Sequence, residues 1–82
     1  MNPAPLYRKT CERAWTGDQF GREWNLGFAV YANDITDDDQ GAFVIFEDDG
    51  RGNGNYVADA DSLELAKLLV DRRVAEADER GF

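Results

Sequence analysis

The chain contains no histidine, a single cysteine, one methionine and two prolines, and only nine lysines and arginines stand against seventeen acids. Without histidine it lacks the commonest general base near neutral pH and the commonest protein metal ligand. One cysteine, Cys11, excludes an internal disulfide, the usual staple of a small secreted domain, so a cytoplasmic setting is expected. No apolar run approaches a membrane span, and the opening residues MNPAPLYRKTCERAW hold no signal-peptide-like stretch. The deficit of bases leaves a net charge of −8, which repels phosphate backbones and anionic membranes and argues against direct nucleic-acid or membrane binding.

What is present fits one small domain spanning residues 1–82, with ten aromatics to supply a modest core. The charge is uneven. Residues 1–22 sum to +2, residues 23–66 to −10 and residues 67–82 to zero, so the acidity belongs to the middle of the chain. Its focus is Asp34–Asp61, DITDDDQGAFVIFEDDGRGNGNYVADAD, in which three groups of acids are separated by two short strand-like runs.

From Pro5, the spacing of Tyr7, Cys11, Ala14 and Trp15 predicts a short amphipathic helix that ends at Gly17, with Arg8, Lys9, Glu12 and Arg13 on its outer side. Residues 23–33 alternate with period two and predict a first strand. The run 42–47, AFVIFE, predicts a second strand, apolar on both faces and therefore central, with neighbouring groups covering either side. After the Gly/Asn-rich reversal DDGRGNGN, residues 55–58 predict a third, antiparallel strand. Asp61, with Glu64 three residues later, reads as the start of a helix. Its buried stripe is Leu63, Ala66, Val70, Val74 and Ala77, widened by Leu65 and Leu69. Its outer charges are spaced to pair as Glu64–Lys67, Lys67–Asp71, Arg72–Glu76 and Glu76–Arg80. The expected fold is α+β, ordered α-β-β-β-α, with a three-stranded antiparallel sheet packed by two helices.

Chemistry-bearing patterns are sparse. Cys11 falls on an apolar stripe and reads as a packed thiol. No GxSxG, Walker A or GxGxxG sequence is present. Aligning a calcium loop from Asp49 puts Arg51 at the third position and Ala60 at the twelfth, where an acid is needed, so DDGRGNGN reads as a hairpin turn. Consecutive acids in a loop point in different directions, and neither a Gly-rich phosphate cradle nor a catalytic base adjoins them. Arg8, Lys9 and Arg13 are too few for a phosphate-binding stripe. The expectation is a non-enzyme with neither metal nor cofactor.

The acids carry the functional expectation. In a sheet of successive hairpins, the turn 34–41 and the exit of the third strand share one end, which would gather Asp34, Asp37, Asp38, Asp39, Asp59, Asp61 and Glu64. Asp48 and Asp49 fall at the opposite end as secondary contacts. Turn formation, capping and solubility explain single acids, but the run Asp37-Asp38-Asp39 exceeds what a turn requires. A dense negative field of this kind suits a cationic partner, with carboxylates standing where that partner expects phosphates.

In its overall character (82 residues, a single small α/β domain, an acidic middle and no catalytic apparatus) the chain resembles the small phage-encoded inhibitors of bacterial defence, including anti-CRISPR proteins and anti-restriction DNA mimics. That resemblance implies a viral protein acting in the host-cell cytoplasm as a monomer or homodimer, blocking the DNA site of a cationic nucleic-acid-binding complex. The alternative is a regulatory or structural interaction domain that self-associates through a sheet edge, with the first and third predicted strands as candidate edges.

Overall fold

A computed structural model describes residues 4–17, 19–33, 41–48 and 54–81, with Asp48 described by its backbone alone. Among the described residues four strands are followed by one helix: β1 Tyr7–Gly17, β2 Glu23–Ala32, β3 Phe43–Asp48, β4 Gly54–Ala60 and α1 Leu63–Arg80. The strands form an antiparallel meander in the order β1-β2-β3-β4. The fold is thus α+β, but among the described residues it has four strands and a single, C-terminal helix; the expected α-β-β-β-α order with three strands and two helices is corrected.

The correction lies in β1, where a helix was expected. Its partners run from Tyr7↔Val30 to Thr10↔Gly27 and resume at Trp15↔Asn25, so four residues, Cys11–Ala14, stand opposite the single Leu26. Ahead of this bulge, strand alternation brings Tyr7, Lys9 and Cys11 to one face; beyond it, the inward position is Ala14, fully buried. A period of two interrupted by a bulge therefore leaves apolar residues at 7, 11 and 14, the spacing of a helical stripe. Trp15 shows the difference: helical spacing would bury it, whereas the strand leaves it 49% exposed.

The predicted first strand is β2, which lies inside the sheet and is not an edge; β1 and β4 are the edges. The expected second and third strands are observed as β3, paired on both sides, and β4. A second, smaller irregularity falls between the partners Ile45↔Ala58 and Phe46↔Tyr56, leaving Val57 as the extra residue of β4.

α1 packs on one face of the sheet, most extensively over β1. The core between them comprises Cys11, Ala14, Leu26, Phe28, Val30, Ile45 and Ala60 from the sheet with Ala66, Val70, Val74 and Ala77 from the helix. The expected helical stripe is largely observed, with Leu63 and Leu69 packed at its margin, but Leu65 is exposed and lies off it. Ser62, not Asp61, is the N-cap: its hydroxyl accepts from the Leu65 N–H at 3.1 Å. The third helical position is therefore a leucine and no reciprocal box with Glu64 forms. Gly81 closes the helix in a left-handed conformation (φ 61°), its N–H donating to the Ala77 carbonyl at 2.9 Å.

Helix and sheet are also joined through carboxylates. The Tyr7 hydroxyl donates to Asp71 at 2.6 Å, and Lys9 Nζ lies 3.5 Å from the same oxygen. Lys67 sits 5.6 Å over the Tyr7 ring. Among the described residues none of the four helix-surface ion pairs expected from spacing is formed; Asp71 turns toward β1 instead. A phenol that approaches a carboxylate across packed elements offers a stronger contact than two long, solvated side chains that must be ordered to meet.

Candidate functional site: the acidic end and its supports

At one end of the sheet the chain leaves β2, returns to β3, exits β4 and enters α1. Phe43 pairs with both Ala32 and Ala60, so these four points are adjacent. Beyond the last ladder rung, the Asn33 N–H donates to the Ala42 carbonyl at 2.9 Å and its side-chain amide donates to the Gly41 carbonyl at 3.0 Å. The Gly41 N–H in turn donates to Asp59, whose other oxygen accepts from the Tyr56 hydroxyl at 3.1 Å. The Gly41 N–H, then the Tyr56 hydroxyl, hold the Asp59 carboxyl below its ordinary range, while desolvation opposes them. Asp59 is therefore anionic but occupied, buttressing the loop return.

Asp61 and Glu64 are exposed at the same end. Glu64 lies in the first turn of α1, where the partial positive charge of the helix N-terminus favours an acid. Asp34, Asp37, Asp38 and Asp39 lie outside the described residues, in the connection whose two ends are Asn33 and Gly41. Asp48 belongs to β3, opposite Gly27 and Gly54, at the far end of the sheet; Asp49 lies outside the described residues. The six residues of β3 separate the two ends by about 20 Å at ~3.3 Å per residue.

Two carboxylates outside the acids of the predicted site support this frame. Besides Asp71, Asp78 accepts three backbone N–H groups of the β1 bulge: Arg13 at 2.7 Å, Ala14 at 3.1 Å and Glu12 at 3.2 Å. The bulge breaks the ladder to β2, and the helix carboxylate takes over the donors that the ladder leaves. The contact with Arg13, and the other two amides, lower the Asp78 carboxyl below the ordinary aspartate value of 3.8 against a desolvation cost. An available signal was that an acid in the last turns of a helix opposes the helix dipole and needs compensating donors.

A folded-state carboxyl held below its unfolded value adds stability that is complete above the unfolded value and lost as pH falls through the folded one. Asp78→Asn is expected to be less stable than the native chain at pH 7, with the difference in urea midpoint narrowing as pH drops below about 4. Midpoints measured across this range check it; a constant difference would contradict the bulge contact.

Other features limit the chemistry. Cys11 is buried against α1, its thiol 3.9 Å from the Val74 carbonyl, and burial, then Asp78, push its ionisation up and favour the unreactive thiol. A shallow cleft of about 210 Å³ beside the C-terminal half of α1 is lined by Leu26, Phe28, Glu47, Arg73, Glu76, Ala77 and Arg80, whose balanced charges select no ligand sign. Among the described residues no three His, Cys, Asp or Glu side chains group to hold a metal ion, and no helix is long and apolar enough to cross a membrane. No family model, curated protein or solved structure matches this chain.

Proposed function

We propose that the chain is a non-enzymatic binding protein whose acidic end enters the Lys/Arg-lined groove of a nucleic-acid-binding protein and keeps nucleic acid out, as small phage-encoded inhibitors do to bacterial defence complexes. One observation carries the reading. The exit of β4, the exposed Asp61 and Glu64 at the start of α1, and both attachment points of the Asp34–Gln40 connection meet at a single end of the sheet. The connection that carries the acids of residues 34–40 therefore begins and ends at the same end of the sheet as residues 59–64, with no base in either segment. Asp34, Asp37, Asp38, Asp39, Asp61 and Glu64 make the charged contacts in this reading. Asp59 supports them by holding Gly41, and Asp48 and Asp49 are a secondary group at the other end.

Self-association through a sheet edge is disfavoured by the shape of both edges. β1 carries the Cys11–Ala14 bulge and β4 an extra residue at Val57, and bulges of this kind twist edge strands away from further pairing. A monomer that meets its partner through charge is the expected species.

Immobilised protein exposed to a bacterial lysate at low salt is expected to retain a DNA-binding protein that elutes as salt rises and cannot bind DNA while held. Retention of membrane or cytoskeletal proteins, or salt-insensitive retention, would contradict the reading.

A further inference from the structure

The sheet face opposite α1 is lined by apolar groups that take no part in the helix-side core. Ala29 and Val44 are buried there, and Tyr31, Phe46 and Tyr56 stand over them. The Phe46 ring meets its ladder neighbour Tyr56 edge-on at 6.3 Å and Tyr31, one row further along, edge-on at 5.8 Å, so the three rings form a continuous series across β2, β3 and β4. Among the described residues no second layer of secondary structure lies on this face; Tyr56 is 52% exposed, and Tyr31 and Phe46 are half-buried. Among the described residues the one helix lies on the other side, so on this face β3 is covered by the rings of its neighbouring strands.

Charge says what such a face accepts. The Tyr56 hydroxyl donates to Asp59, which sits beside Val44 in the next cross-strand row. Donation to a carboxylate enriches the ring in electron density and fixes an anion at its rim. From residue 23 to residue 66 the chain carries eleven acids and one base, Arg51, while Arg8 stands on β1 at the far margin of the Phe46 row. Aromatic faces bordered by carboxylates attract cations. Among protein cations the guanidinium fits best, since its planar, weakly hydrated group stacks on a ring while its edge donates to a carboxylate.

We propose that this outer face docks arginine side chains of the cationic partner, with Tyr31, Phe46 and Tyr56 supplying the stacking surface and Asp59 the adjoining anion. The inference rests on the proposed reading of the chain as a ligand for a cationic protein, and adds a preference for arginine over lysine that a purely electrostatic contact lacks.

Titration of the intact protein with an oligo-arginine peptide and an oligo-lysine peptide of equal length tests it, with ring-proton shifts followed by NMR. The arginine peptide is expected to bind about five- to tenfold more tightly and to move the Tyr31, Phe46 and Tyr56 signals. In Tyr31→Leu/Tyr56→Leu, which keeps apolar bulk but removes two rings, the two peptides should bind alike. Tyr56→Leu alone, at a half-exposed position, should halve or further reduce the preference and serves where the double variant does not fold. Equal affinities for the native chain, or an undiminished preference in the variants, overturn the proposal while leaving acidic recognition intact. Failure of both peptides at low salt overturns it together with the proposed function. Binding of oligo-thymidylate to the same rings would make the face a nucleic-acid platform and overturn it as well.

Discussion

Ile45→Ala is expected to cost about 2–5 kcal/mol, a large share of the roughly 4–12 kcal/mol available to a domain of this length. Ile45 is fully buried at the middle of β3, between its ladder partners Val30 and Ala58 and within the core closed by Val70 and Val74. Because β3 is hydrogen-bonded on both sides, its backbone cannot move inward to fill the space left by the lost carbons, which argues for the upper half of that range. Urea unfolding followed by circular dichroism measures the loss. A change below about 1 kcal/mol would contradict the placement of Ile45 at the centre of a close-packed core.

Gly41→Ala is the second large effect, and it acts at the acidic end. A Cβ built on Gly41 would lie 2.6 Å from the Ala60 carbonyl oxygen and 2.8 Å from its carbon. Both are backbone atoms of an edge strand whose next residues lead into α1, so the clash cannot be relieved by rotating a side chain. The loop return must shift, weakening the Gly41–Asp59 and Asn33–Gly41 contacts together. Forced overpacking of this kind costs about 1–3 kcal/mol. Urea unfolding is expected to show that loss, with faster amide exchange at Asn33, Gly41 and Ala60 than in the native chain. Unchanged stability and exchange would mean that the β2–β3 connection does not close against β4.

The sequence made some elements legible because a single interaction dominates each. β2 alternates cleanly and sits with one face on the helix, so its period was readable. α1 has its buried stripe at Ala66, Val70, Val74 and Ala77, and only Leu65 was misassigned. β1 was unreadable because two effects overlap there: Lys9 occupies an inward position of the alternation, and the bulge at Cys11–Ala14 resets the phase, imitating a helical stripe. The partner that makes the bulge tolerable, Asp78, lies 64–66 residues away. No local pattern could report it. The helix start was misread by one residue because Asp61 and Ser62 are both good caps and only the Leu65 N–H distinguishes them.

The meeting of the β2 exit, the β3 entry and the β4 exit was legible for a topological reason: hairpin-connected strands bring these points together whatever precedes them, so adding β1 left that end unchanged. The division of labour within the site was not legible. Asp59 was grouped with the contact acids, and its carboxylate also holds the loop return, one oxygen accepting from the Gly41 N–H and the other from the Tyr56 hydroxyl. The aromatic row on the outer face was hidden because AFVIFE has the same two-sided pattern whether both its faces are covered or only one.

The most direct test of acidic recognition compares two baits in one lysate, the native chain and Asp37→Lys/Asp38→Lys/Asp39→Lys, after matched melting curves show both folded. The native bait is expected to hold a nucleic-acid-binding protein at low salt and release it as the Debye length falls from about 10 Å toward 3 Å, and the reversed bait to hold none of it. Capture of the same protein on both baits, with the same salt dependence, would contradict the account.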